Sequence, residues 1–191
     1  ILDQHKIPLT DILSNTKSGE SRPPYEWLSQ VLFALAYRLL GLDGVVLLAS
    51  LVIAIAFTFV YADAVRRSGL PIVAFLIALL AVGAGSIHWL PRPHLFSFLF
   101  LAIWLERLER LREGKRIPLW QFPLIMLIWA NLHGGFIFGI LAWAAYLAGL
   151  VIDRLLKQDS ATTEIGKNLG TAGLLSLAVS IVTPSGWGNW Q

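Results

Sequence analysis

The 191 residues include no cysteine and one methionine, and only 14% of them are charged. Without a thiol there is no disulfide framework, no thiolate metal centre and no cysteine nucleophile. So few charges cannot clothe a water-facing surface. Soluble domains carry about 25% charged and about 45–50% apolar residues, whereas here 56% are hydrophobic and the mean hydropathy is +0.66. The apolar excess needs lipid to face, which makes the chain an integral membrane protein. Also missing are a glycine-rich phosphate loop and a Rossmann pattern, so soluble nucleotide-sugar chemistry has no support. Internal repeats and low-complexity tracts are absent as well. The net charge of +3 and pI near 9.5 do not point to nucleic acid, because the bases fall in short clusters between apolar runs.

What is present divides at residue 26. Residues 1–25 are polar and turn-rich, with Asp3, Lys6, Asp11, Lys17, Glu20 and Arg22 among Pro8, Gly19, Pro23 and Pro24, and read as an extracytoplasmic loop. The stretch shows no basic n-region, apolar core or cleavage site of a leader, and the chain reads as a piece of a longer one. Uncharged runs then occupy 44–62, 68–91, 93–105, 117–152 and 168–191. A crossing needs about 20 apolar residues, which predicts helices over 45–62, 70–88, 94–108 and 169–183. The run 117–152 is long enough for two crossings and centres on Asn131-Leu132-His133-Gly134-Gly135, where a helix breaks, so it reads as a tight helical hairpin. Residues 26–41 recur in Glu26, Ser29, Gln30 and Tyr37 and read as an interfacial or partly inserted helix. The expected fold is all-α: a polytopic transmembrane bundle of about six spans over 26–191.

Arg66, Arg67, Arg107, Arg110, Arg112, Lys115, Arg116, Arg154, Lys157 and Lys167 lie in the loops 63–70, 106–117 and 153–168. The positive-inside rule makes those loops cytoplasmic. The motifs rich in histidine, proline, glycine and tryptophan then share the other face.

Chemistry-bearing residues concentrate on that outer face. Asp11 and Glu26 are carboxylates able to accept a hydroxyl proton or to hold a divalent cation, the one cofactor left open. Each also has a structural reading, Asp11 as a turn or N-cap residue and Glu26 as a first-turn acid behind two prolines. Arg92, between Pro91 and Pro93, offers a guanidinium fork to a phosphate, or else snorkels to lipid headgroups. Asn131 and His133 cost free energy in an apolar run unless paired, so they are binding candidates, the alternative being a satisfied helix break. His88, His94 and His133 lack the spacing of a metal site, so no metal ligand is assigned.

The order of these motifs carries a resemblance. An acidic loop, Glu26-Trp27-Leu28-Ser29-Gln30 leading to Tyr37-Arg38-Leu39-Leu40-Gly41, then Arg92-Pro93-His94, then Trp129-Ala130-Asn131-Leu132-His133-Gly134-Gly135, resembles bacterial polytopic proteins of the GT-C class of glycosyltransferases. That class includes dolichyl-phosphate-mannose-type mannosyltransferases and the lipopolysaccharide-core transferases of rhizobia. The resemblance implies an enzyme of the bacterial inner membrane that moves a sugar from a polyprenyl-phosphate carrier to an acceptor hydroxyl on the non-cytoplasmic face. It implies an acidic general base in the first outward loop, which Asp11 matches first and Glu26 second. Arg92, with His94 or His133, would hold the leaving phosphate, and the implied partners are membrane lipid and the lipid-linked donor. The competing readings are a transporter or membrane scaffold subunit, and a haem or metal subunit that uses the histidines.

Overall fold

A computed structural model describes residues 25–157 and 161–184, together with Ile1, Leu2, Ile7, Gly19 and Gly186. Among the described residues there is no strand, and the helices are α1 (Trp27–Ser68), α2 (Pro71–Gly85), α3 (His94–Arg112), α4 (Gln121–Leu132), α5 (Phe136–Lys157) and α6 (Ala161–Val179). The all-α class is as expected. Three helical stretches, Trp27–Ser68, Pro71–His88 and Phe136–Leu155, are long and apolar enough to cross a membrane. Within them only 17%, 11% and 17% of the most apolar window is buried by the rest of the chain, so most of that apolar surface faces outward.

A straight α1 of 42 residues would be about 63 Å long, twice a hydrocarbon core. Gly41 prevents this. Its backbone sits at φ 64°, ψ −145°, a combination that side-chain-bearing residues avoid. Just beyond it, Gly44 lies so close to the Ala36 carbonyl that a Cβ has no room. The segment 27–40 therefore folds back toward 42–68. Leu28, Leu32 and Phe33 join Leu48, Ala49 and Val52 in one apolar cluster with Leu95, Phe96 and Leu132.

The other breaks follow ordinary end chemistry. Gly69, at φ 68°, closes α1 by donating its N–H to the Val65 carbonyl at 2.9 Å, and Pro71 opens α2 where its missing N–H costs nothing. Pro91 and Pro93 separate the 3₁₀ turn Ser86–His88 from α3.

The main core lies among α3, α4, α5 and α6 and is aromatic. Trp104 and Trp129 are fully buried; Trp104 meets Phe122 edge-on at 5.4 Å and Trp129 stacks on Phe100 at 6.1 Å. The break between α4 and α5 falls at His133–Gly135, inside the expected apex, but the arms are not a tight pair. Each packs chiefly on its other neighbours, α4 on α6 and α3, and α5 on α6 and α3. Trp104 of α3 reaches both arms, meeting Phe122 of α4 and donating its indole N–H to the Gly139 carbonyl of α5 at 2.8 Å. α6 also differs from expectation: it starts at Ala161, carrying Glu164 and Lys167 in its first turns, and ends at Val179. Charge marks the end of an apolar run, whereas a helix continues for as long as its backbone bonds do.

The two ends of the bundle differ in kind. At the basic end Arg66 bridges Asp63 and Glu113, each at 2.7 Å, which ties α1 to the residue after α3. Beside it, buried Glu109 accepts from Arg112 at 2.5 Å and from the Tyr146 hydroxyl at 2.8 Å, with Arg67 at 3.8 Å. The histidine end holds the start of α1, the start of α3, the α4–α5 junction and the residues after α6.

Candidate functional site

Four separate stretches of sequence meet at the histidine end. Glu26 precedes α1, and its backbone carbonyl is taken by the Ser29 hydroxyl at 2.8 Å and the Gln30 N–H at 3.1 Å. Its carboxyl makes no capping bond to its own helix. Instead it turns across to α4, placing Oε1 3.4 Å from His133 Nε2, with the two side chains 34% and 25% exposed. The first-turn reading of Glu26 thus describes its backbone, not its carboxyl.

The hydrogen bonds around His133 fix its proton. Nδ1 accepts from the Gly135 N–H at 2.9 Å and lies 2.8 Å from Ser97 Oγ. The Trp129 indole, which can only donate, gives its N–H to the same Ser97 oxygen at 2.8 Å. The Ser97 hydroxyl proton is therefore free for His133 Nδ1. With two donors on Nδ1, the neutral ring carries its hydrogen on Nε2, facing Glu26. Gly135 is required here by space: a Cβ would fall 2.7 Å from His133 Nδ1 and closer still to Ser97 Oγ.

Burial dominates the charge balance. It raises the Glu26 carboxyl above its usual range, against the opposing charge of His94, and it lowers His133 below the usual imidazole value, helped by His94. An ion pair would shift both the other way. The pair is better described as a neutral imidazole whose Nε2 lies 3.4 Å from a carboxyl group, a close approach rather than a hydrogen bond.

Asn131, buried beside this pair, makes three hydrogen bonds through its amide. Its Oδ1 accepts the Trp27 indole N–H at 2.7 Å, and its Nδ2 donates to the Leu127 and Val182 carbonyls at 2.8 and 3.0 Å. It fastens the start of α1 and the chain after α6 to the end of α4. His94 opens α3 and donates Nε2–H to the His88 carbonyl at 2.7 Å, the two rings meeting edge-on at 6.5 Å. Arg92 sits at the bend before α3, exposed, its carbonyl receiving the Leu95 N–H at 3.1 Å.

Of the candidates read from sequence, Glu26, His94, Asn131 and His133 come together, and Arg92 lies two residues from His94 in the chain. Asp11 lies outside the described residues. Ser97, Trp27 and Trp129 are site residues that the sequence reading passed over. Ser97 had a signal, being a lone hydroxyl inside Leu95–Leu101 one helical turn from His94. Among the described residues no three histidine, aspartate or glutamate side chains gather as a metal-holding group.

No protein-family model, curated protein or solved structure matches the chain. The functional reading rests on the chemistry of this end of the bundle.

Proposed function

We propose that the chain is part of a membrane-embedded glycosyltransferase, a polytopic bundle with its basic end in the cytoplasm and its histidine end carrying the transfer site on the opposite face. The observation that supports this reading is the Glu26 carboxyl set against His133 Nε2–H, at the end of an apolar bundle where His94 and Arg92 also lie. A carboxylate at the edge of the apolar helices, with its proton affinity raised by burial, can accept the proton of a hydroxyl group brought beside it. Glu26 takes the proton of the acceptor hydroxyl, the hydroxyl oxygen bonds to the anomeric carbon, and the bond from that carbon to the carrier's phosphate oxygen breaks. The polyprenyl phosphate leaves with the electron pair, and Arg92 with His94 offers it positive charge and hydrogen bonds.

A transporter or scaffold reading uses the α4–α5 break as part of a pathway or docking face. The filled space at Gly135, occupied by Ser97 and His133, gives that reading less support.

The test uses the full-length protein in native membranes supplied with a panel of hexosyl polyprenyl phosphates, following loss of labelled sugar from the carrier. Glu26→Gln should lower the rate by about 10²–10⁴-fold. Asp11→Asn, measured alongside, decides between the two carboxylates. Wild-type rates in both variants would overturn the general-base reading.

A further inference from the structure

We infer that His133 is a positioning residue for Glu26, held in one tautomer by Ser97 and Gly135 so that its Nε2–H orients the carboxyl group. The inference rests on the transferase reading for its purpose, but its geometry stands by itself. Three groups form a directed hydrogen-bond chain, Trp129 Nε1–H to Ser97 Oγ at 2.8 Å and Ser97 O–H to His133 Nδ1 at 2.8 Å; beyond it His133 Nε2 stands 3.4 Å from Glu26 Oε1, an electrostatic approach rather than a hydrogen bond. The first member can only donate, so the direction of the whole chain is set.

The parts are drawn from several helices, with Trp129 and His133 both held by α4. Trp129 is fully buried in α4 and stacked on Phe100 of α3. Ser97 lies in the first turns of α3, and the Gly135 N–H supplies a second donor from the start of α5. Protonating Nδ1 would require Ser97 to turn its hydroxyl away from the ring and Gly135 N–H to lose its acceptor, which is costly at a half-buried site. The ring therefore resists charging. Among the described residues the titratable groups that face it are Glu26, ahead of α1, and His94, on α3.

A histidine so held does what a substrate-binding histidine would not: it fixes a neighbouring carboxyl group without competing for protons. The sequence carries its own geometric requirement for this, since Gly135 tolerates no Cβ against Ser97 and the ring.

The experiment is nuclear magnetic resonance of the full chain in lipid nanodiscs, with ¹⁵N-labelled histidine and ¹³C-labelled glutamate carboxyls. In the wild type, His133 should show a protonated Nε2 and a bare Nδ1, and should remain neutral as the pH falls below the ordinary imidazole value of about 6.5. Ser97→Ala should introduce the second tautomer, Ser97→Thr should restore the first, and His133→Gln should raise the Glu26 titration by roughly half a pH unit or more. In the transfer assay Ser97→Ala should lower kcat about a hundredfold with KM little changed. A wild-type ring protonated on Nδ1, or a Glu26 titration unmoved in His133→Gln, overturns the inference. If the resonances behave as expected and wild-type membranes transfer no sugar, the positioning role holds and the transferase reading fails.

Discussion

At the scale of single residues, the histidine end shows how polar groups persist in an apolar chain. Asn131 commits both amide donors and one acceptor position to Leu127, Val182 and Trp27. Removing it leaves the half-buried Trp27 indole N–H without its acceptor, so Asn131→Ala should cost about 1 kcal/mol in reversible unfolding in mild detergent. The same variant should change the Trp27 fluorescence. Glu26 and His133 impose opposite pH dependences. The folded state holds the Glu26 proton more tightly than the unfolded state does, so its contribution is full below about pH 4.5 and is lost as pH rises through the raised folded value. It holds the His133 proton less tightly, so that contribution is present above about pH 6.5 and is lost as pH falls through the lowered folded value. Between those limits the stability gap between wild type and Glu26→Gln should narrow with rising pH, while the gap between wild type and His133→Gln should widen. Thermal denaturation at half-unit pH steps measures both slopes.

At the scale of elements, the informative feature is the break in α1. Gly41 takes a backbone conformation closed to other residues and Gly44 takes a contact closed to a Cβ, so two glycines three apart turn one apolar stretch into two directions. Gly41→Ala should cost about 1–3 kcal/mol, and spin labels at Gln30 and Thr58 should move apart in it, because relief of the strain straightens the helix. Unchanged label distances would show that the packing of Leu28, Leu32 and Phe33 on α3 imposes the bend without the glycine. The α4–α5 break works differently. His133 leaves the helix in an extended conformation, φ −163° and ψ 143°, and its side chain then folds back to accept the Gly135 N–H. There the ring substitutes for a backbone acceptor and satisfies the start of α5.

At the scale of the molecule, charge is segregated. The ion pairs of Arg66, Arg67 and Arg112 with Asp63, Glu109 and Glu113 gather at one end, and the Glu26–His133 cluster lies at the other. If the basic end is cytoplasmic, the natural absence of cysteine permits a direct test. In intact cells a membrane-impermeant thiol reagent should label Gly134→Cys, an exposed position with open space around its Cβ. Ser68→Cys and Lys115→Cys should label only after permeabilisation. The reverse pattern would place the candidate site in the cytoplasm, where a polyprenyl-linked donor of the proposed orientation is not presented.

The sequence by itself determined the class of the protein and most of its punctuation. Long apolar runs, with loops read at 63–70 and 106–117, Pro91 and Pro93 between runs and the Asn131–Gly135 apex, are local properties of composition and backbone, and helices end in or beside those places. Glu26, His94, Asn131 and His133 were legible as candidates because polar groups are conspicuous among apolar neighbours. Only the tertiary structure decided what each of them does. Whether a carboxyl caps its own helix or faces an imidazole, and which ring nitrogen bears the proton, depends on partners as distant in sequence as Trp27 and Asn131 or Ser97 and His133. So does the packing of α4 and α5 on α6 and α3 rather than chiefly on each other. Periodicity and charge count report the solvent a residue prefers; the hydrogen-bond partner it finds is set by how the helices pack.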